Sequence, residues 1–571
     1  MLRIFFLIVI TYLFCFFPTQ TFAKYNPLET QNNKYGILTV DPNDILEISS
    51  LVNSSGGDWG YVSLVIQEDD RNREKWQAVF NSMRRIHLIP IVRLATRIDG
   101  DAWKKPTIDS ISDWLSFFNA LNWPIENRYV VLFNEPNHAN EWGRSIDPKG
   151  YAELATAFAK AFHAASEDYF VLPAGLDVSA ATDGRSLDAA SYLKQMYDAK
   201  PELFDLLDGW VSHSYPNPAF SGSAHGYGRG TVRSYAWERE YLRSLGVTKS
   251  YPIFITETGW VHSFGVTNNF SLLSPEAVGS ALKQASVGAW TDASIVAITP
   301  FIFNYQGLPF DHFSWKKLGS NDFYAHYFAY QTIPKTRGTP FQRELYALDH
   351  PLIPDTLVKN SSVTLTAKIT NSGQSIISHK DGYTLQIDGP KEFISITDSL
   401  PTIEPQESGE ARLHLRLPNK EGTFPYTLSI THDNRAVILQ TGTITLIPPP
   451  SLTLHVQLGW KKISDTRNAT VLIYDQDEIV HKLHGVSIEN GIGIVSDLAN
   501  VIPNNSYRVV LLVPQHLPRQ AINTIKAEGT TILMPRMYPI DFNGDGAFTL
   551  ADIVSMLTLP PRDILRLFIT I

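Results

Sequence analysis

A single cysteine in 571 residues, Cys15, excludes disulfide frameworks, thiolate metal sites and cysteine nucleophiles from the working protein, because it falls in an N-terminal segment read as removable. Residues 1–23 carry Arg3, then an almost unbroken apolar run, Ile4–Phe17, then Pro-Thr-Gln-Thr-Phe-Ala. A charged start, a short apolar core and a small residue before the cut are the marks of a signal peptide. The run is shorter than the roughly 20 residues a membrane-spanning helix needs, and the apolar end Ile564–Ile571 is shorter still. No transmembrane span is therefore expected after cleavage, and the protein is predicted to be secreted, extracellular or at the cell surface. Positive charge is also scarce: a net charge of −9 argues against a nucleic-acid partner. No glycine-rich phosphate loop follows the first apolar strand, which leaves a doubly wound nucleotide-binding sheet without support. What remains, 44% apolar and 18% charged residues, is the balance of a globular chain, long enough for about two to four domains.

From Tyr35 to about Tyr330 the sequence alternates apolar strands with helical periods. The strands are expected at Gly36–Val40, Gly60–Ile66, Leu88–Leu94, Tyr129–Phe133, Phe170–Ala174, Gly209–His213, Ile253–Thr256 and Ile295–Phe303. Trp76, Val79, Phe80 and Met83, and later Tyr151, Leu154, Ala155 and Phe158, repeat at the spacing of a helix face. Asp147-Pro148 and Ser274-Pro275 read as helix starts. Eight such pairs predict a (β/α)8 TIM barrel over residues 24–345; an open doubly wound sheet is the alternative. Beyond Gln342 the helical period gives way to alternation, as in Val363, Leu365, Ala367 and Ile369. A β-sandwich is predicted for 350–447, then a stiff linker at Pro448-Pro449-Pro450. A second all-β, sandwich-like module is expected at 451–537, and a calcium loop with a short helix at 540–571.

The loop is Asp541-Phe-Asn543-Gly-Asp545-Gly546-Ala-Phe-Thr-Leu-Ala-Asp552. Oxygen ligands at positions 1, 3, 5 and 12, with glycine at 6, are what a calcium loop requires, although position 12 is Asp where Glu is usual. Asp541, Asn543, Asp545 and Asp552 are the expected ligands of a structural calcium ion. No cofactor is expected for catalysis.

Two stretches share one design. RYVVLFNEPN ends an apolar strand in Asn134-Glu135-Pro136, and PIFITETGW ends another in Glu257, 122 positions later (257 − 135). In a barrel, the C-terminal ends of the strands are where chemistry is done, and two carboxylates there are what glycosidic-bond cleavage needs. Glu135 is expected as acid/base, its pKa held up by its neighbour's charge and partial burial, with an extended backbone imposed by Pro136. Glu257 is expected as an ionised nucleophile.

The pair, Asn-Glu-Pro on the fourth strand and a glutamate on the seventh, resembles clan A of the retaining glycoside hydrolases, (β/α)8 barrels of the family 5 and family 39 kind. The resemblance implies that Asn134 holds the sugar 2-hydroxyl. It implies that His213 and Tyr215, in VSHSYP, match an H-x-Y motif in which the tyrosine donates to Glu257, and that Arg93 lies under the nucleophile. Tyr305 or Trp315 would form the aromatic floor of the sugar subsite. His138, Trp142 and Trp260, on loops at the same face, are further substrate-binding candidates. The module at 350–447 resembles an immunoglobulin-like spacer, and the Asp541 loop resembles a dockerin or half EF-hand, which implies a cohesin-like partner. A full dockerin has two such loops and this sequence has one. The partner expected above all is a carbohydrate. A non-catalytic carbohydrate-binding or cell-surface protein, and a transglycosylase, are the alternatives to hydrolysis.

Overall fold

The computed structural model describes residues 24–389, 393–433 and 435–568; segment 1–23, read as a signal peptide and containing Cys15, lies outside them, as do residues 569–571. The chain divides into two compact units between Arg343 and Glu344.

The first unit is a barrel of eight parallel strands, β1 (Gly36–Thr39), β2 (Gly60–Gln67), β3 (Leu88–Ala95), β4 (Arg128–Leu132), β5 (Tyr169–Pro173), β6 (Trp210–His213), β7 (Ile253–Glu257) and β8 (Ile295–Ile298). Each is followed in the chain by a helix: α1 (Ile45–Val52), α2 (Arg73–Arg85), α3 (Ile111–Asn119), α4 (Pro148–Ala165), α5 (Ala189–Ala199), α6 (Ser234–Leu245), α7 (Pro275–Ser286) and α8 (Ala325–Gln331). The strands are apolar on both faces because both are covered. Ile89, Ile91, Tyr129, Val131, Phe170, Val211 and Phe254 fill the barrel interior; Leu88, Val92, Val130, Leu132, Ile253 and Ile255 pack in the outer cluster with Trp76, Phe80 and Phe158 from the helices. Helix starts follow the capping chemistry: the Asp147 carboxylate accepts from Gly150 N and the Ser274 hydroxyl from Ala277 N, each before a proline.

Strands β1–β5 form one five-stranded sheet and β6–β8 a three-stranded one. One seam is bridged by Asp208, whose N–H donates to Val171 O at 2.9 Å and whose carboxylate accepts from Val171 N at 2.7 Å. The other is bridged at Tyr35 and Ile298, with Leu38 N donating to Pro300 O at 3.0 Å and Phe303 N to Leu38 O at 2.9 Å. Four expected strands end early, β1 at Thr39 and β5 at Pro173 by one residue each, and β4 and β8 for a reason in the backbone. β8 stops at Ile298 instead of Phe303, just before Pro300, which has no N–H to continue a ladder. β4 stops at Leu132 because Phe133 takes a left-handed φ of 71°.

The second unit starts with two four-stranded sheets. One contains Ser362–Asn371 and Ser408–Arg416, the other Gly422–His432 and Arg435–Ile447, and Leu365, Leu413, Leu428 and Ile444 share one core. The alternation of the sequence appears here as two β-sheets whose apolar faces contribute to one core. The module after Pro450 departs from a pair of facing sheets: it is a single seven-stranded sheet around its own core. Three register shifts between Thr466–Asp475 and Glu478–Glu489 bend the paired strands, as bulges do, so one sheet can wrap its own apolar face. Helix Leu550–Leu557 follows the Asp541 loop, and in helix Pro561–Phe568 the Phe568 ring stacks on Trp460 at 6.1 Å. Among the described residues no helix is long and apolar enough to cross a membrane.

Candidate active site

Alternation along the strands decides what reaches the barrel mouth. In β3 the inward series Ile89, Ile91 continues to Arg93, and in β6 Val211 continues to His213. Between β6 and β7 the register slips so that His213 pairs with Glu257, which turns Glu257 towards the interior. In β4 the left-handed Phe133 breaks the series, and the chain turns within Asn134-Glu135-Pro136. Glu135 has φ +24°, not the extended backbone expected before proline. The turn that follows, closed by His138 N donating to Glu135 O at 2.9 Å, sets that geometry against the preference of the pre-proline position.

The mouth therefore gathers Arg93, Glu135, His213, Tyr215 and Glu257. One carboxylate oxygen from each of Glu135 and Glu257 and a ring nitrogen of His213 lie within 4.8 Å of one another. Arg93 Nη1 donates to Glu257 Oε1 at 3.2 Å, and the Tyr215 hydroxyl to Oε2 at 3.0 Å. His213 Nδ1 is 2.7 Å from Glu135 Oε1 and 3.7 Å from Glu257 Oε2. Burial works against charge on this ring, but Glu257 and Glu135 outweigh it and push the pKa up to about 9, so the imidazole is a charged donor at neutral pH. Burial and the same two carboxylates push the Tyr215 phenol well above its ordinary range, which keeps it protonated and donating. Gly175 makes room for the His213 ring: a Cβ there would lie 2.3 Å from His213 Cδ2.

Loop partners complete the site, and Asp177, Glu141, Phe301, Phe310 and Phe313 among them carried no sequence signal. His138 Nε2 is 3.0 Å from Asp177 Oδ2, and that hydrogen bond, opposed by burial, raises the His138 pKa. Asn134 Nδ2 donates to Glu141 Oε2 at 3.3 Å. Glu141, in the short turn Ala139–Glu141, is pushed up to about 7 by burial, with Arg93 opposing and Glu135 adding to the rise. Phe301, just after β8, joins an aromatic wall that runs from Tyr215 through Phe313 (5.9 Å) to Phe301 (5.4 Å) and Phe310 (5.0 Å), where Tyr305 touches Phe310 at 5.4 Å.

Three expected substrate contacts are corrected. Trp142 is fully buried and packs edge-on against Phe133 and Tyr151. Trp260 is buried, with Nε1 donating to Gly222 O at 2.8 Å. Trp315 is buried against His326 and Tyr330. All three belong to the outer core, because an aromatic on a loop at the mouth covers apolar surface beneath that loop unless something holds it out.

The Asp541 loop is a second cluster of carboxylates. Asp541, Asp545 and Asp552 each bring an oxygen within 4.8 Å of the other two. Asp541 is buried, and its Oδ1 has no hydrogen-bond partner among the described residues. Gly544 and Gly546 have φ of 74° and 84°, the sharp turn such a loop requires. Three converging oxygens with one orphaned atom fit a divalent cation of the calcium type. Asn543 differs from the expected ligand set in that its Nδ2 donates to Asp545 Oδ2 at 2.7 Å. Asp552 caps the following helix: Oδ1 accepts from Phe542 N and Asn543 N, Oδ2 from Thr549 N and the Thr549 hydroxyl.

No known family profile and no curated protein matches this chain. Solved structures with a related chain path include an FMN-binding beta-glucuronidase from Facaelibacterium prausnitzii L2-6 (9% identity, TM-score 0.34, 73% of this chain and 56% of that one). They also include a family 39 glycoside hydrolase from Bacteroides cellulosilyticus WH2 (14%, 0.35, 69% and 82%) and GH5_18 from Streptomyces cattleya (12%, 0.38, 53% and 80%). The chain thus spans little more than half the length of the glucuronidase. These are likenesses of chain path, and the chemistry of the mouth rests on its own residues.

Proposed function

We propose that this protein is a retaining glycoside hydrolase that cleaves O-glycosidic bonds of an oligo- or polysaccharide by double displacement, with Glu257 as nucleophile and Glu135 as acid/base. The observation that carries this reading is the approach of the two carboxylates: oxygens of Glu135 and Glu257 lie within 4.8 Å at one barrel mouth. Retention works at about 5–5.5 Å between carboxyl groups, whereas inversion needs about 6.5–9.5 Å to admit a water.

The surroundings suit each role. Arg93 donates to one oxygen of Glu257 and Tyr215 to the other, which aims the carboxylate. In the first step Glu135 gives its proton to the leaving oxygen as Glu257 bonds to the anomeric carbon. Charged His213, donating to Glu135 Oε1, then stabilises the carboxylate left behind. In the second step Glu135 takes a proton from water, the water oxygen bonds to the anomeric carbon and the ester to Glu257 breaks. Asn134 holds the sugar 2-hydroxyl, and Phe301 and Tyr305 border the ring. The same reading takes segment 1–23 as an export signal, places the protein outside the cell or at its surface, and gives the Asp541 loop a calcium ion as a structural clip.

A 2-deoxy-2-fluoro glycoside trapped on Glu257 and located by peptide mass spectrometry tests the nucleophile. Azide should restore turnover to Glu135→Ala with retained configuration. A product of inverted configuration, or undiminished hydrolysis by Glu257→Gln, would overturn the assignment. Binding of glycans with no turnover across a panel would make the barrel a carbohydrate-binding module.

A further inference from the structure

Glu141 has no part in the two steps above, yet it reaches the mouth. Its position is set from below: Trp142, fully buried between Phe133 and Tyr151, anchors the turn. Gly143 N donates to Trp103 O at 2.9 Å and Glu141 N to His138 O at 3.1 Å, which tie the turn on either side. Arg93, Thr96, Trp103, Asn134 and Glu141 line one cleft beside the carboxylate pair.

The amide of Asn134 depends on this carboxyl. Its Oδ1 is buried without a hydrogen-bond partner, and the bond from Nδ2 to Glu141 Oε2 at 3.3 Å is the only one its amide makes among the described residues. An amide held at one end swings about its last torsion, which is broad for Asn. The single anchor therefore decides where the second N–H of Nδ2 points. That N–H is the one available to a sugar hydroxyl, and hydrogen bonds to the 2-hydroxyl strengthen as the oxocarbenium-like state forms.

We infer that Glu141 is a positioning residue: by accepting one N–H of Asn134 it aims the other at the sugar 2-hydroxyl, so that the rate contribution of that hydroxyl passes through Glu141. The inference rests on the glycosidase reading and adds a residue to it. Glu141 needs only an acceptor oxygen for this task, which a glutamine also supplies.

The test compares kcat for an aryl glycoside and its 2-deoxy counterpart in the parent protein, in Glu141→Ala and in Glu141→Gln, with thermal unfolding as the check on folding. The ratio of 2-hydroxy to 2-deoxy rates cancels between proteins the intrinsic reactivity of the deoxy sugar. That ratio should fall about tenfold or more in Glu141→Ala, since small misplacement of a positioning group costs up to about 100-fold. It should stay within about threefold of the parent in Glu141→Gln, where the acceptor is retained. A ratio unmoved in Glu141→Ala, with both rates falling together, makes the residue merely structural and overturns the inference. A ratio that falls as far in Glu141→Gln overturns it as well, because charge and not acceptor geometry would then be at work. Hydrolysis that depends on Glu257 with an unmoved ratio removes this inference alone; no hydrolysis of any glycoside removes the functional reading and this with it.

Discussion

The barrel mouth and the Asp541 loop each crowd three titratable side chains within 4.8 Å, and they solve the resulting electrostatic problem in opposite ways. In the mouth the protein supplies its own cations, Arg93 at 3.2 Å from Glu257 and charged His213 at 2.7 Å from Glu135. In the loop the cluster consists of carboxylates alone, backbone N–H groups occupy Asp552, and Asp541 keeps a buried oxygen with no hydrogen-bond partner among the described residues. A carboxylate whose counter-charge is built in can give up or take a proton during a reaction without losing its place. One whose counter-charge must come from solution suits a structural ion. On the proposed reading the same residue type serves chemistry in one unit and stability in the other.

Removing a built-in cation should have the largest effect. Arg93→Met leaves Glu257 with the Tyr215 hydroxyl and the more distant His213, and kcat should fall by about 10²–10³, the usual cost of one preorganised electrostatic donor. Steady-state kinetics beside a melting curve separates this from unfolding, and an unchanged kcat would show that Arg93 only packs. Next comes pH. The His213 pKa rises from 6.5 to about 9 on folding, so its stabilising contribution is complete below about 6.5 and is lost as pH climbs through about 9. At 1.36 kcal/mol per pKa unit this is roughly 3 kcal/mol. Denaturant unfolding between pH 6 and 10 should show the loss, and His213→Gln should flatten it. A parallel decline in the variant would assign the alkaline transition to another group. Calcium should act on the loop alone: at a hundredfold excess over its Kd the ion adds about 2.7 kcal/mol, seen as a higher Tm that EGTA reverses and Asp541→Asn abolishes. A Tm indifferent to calcium would mean that hydrogen bonds suffice there. The smallest effect is expected for Gly175→Ala, whose Cβ would meet His213 Cδ2 at 2.3 Å. A displaced ring should lower kcat about tenfold, about 1.4 kcal/mol, while the calcium response stays as it was.

The eight strands were legible because a strand buried on both faces must be apolar throughout, and such runs stand out from amphipathic helices. Glu257 was legible as the end of an apolar strand, and Arg93 and His213 through the resemblance to clan A; alternation alone would turn Glu257 outward, and the register slip beside His213 that brings it in has no mark in the sequence. Loop positions obey no period. Whether Trp142 or Trp260 faced a ligand or the core depended on how its loop folds back, and both fold inward. Glu141 stands in a three-residue turn with nothing to mark its direction, and Gly175 is distinguished only by the imidazole pressed against it. The backbone of Glu135 was misread because a local preference, the extended residue before proline, yields to the turn that brings the carboxylate into the barrel.

The seam at Asp208 has a mechanical meaning. Arg93, Asn134 and Glu135 belong to the five-stranded half of the barrel, and His213, Tyr215 and Glu257 to the three-stranded half, so the proposed acid/base and nucleophile ride on different pieces. Asp208 stitches those pieces through Val171, and the same carboxylate is gripped by Lys24 and His163. On the proposed reading, the acid/base and the nucleophile keep their spacing only while that joint holds, so a change at Asp208, far from either carboxylate in the chain, would be felt at the mouth.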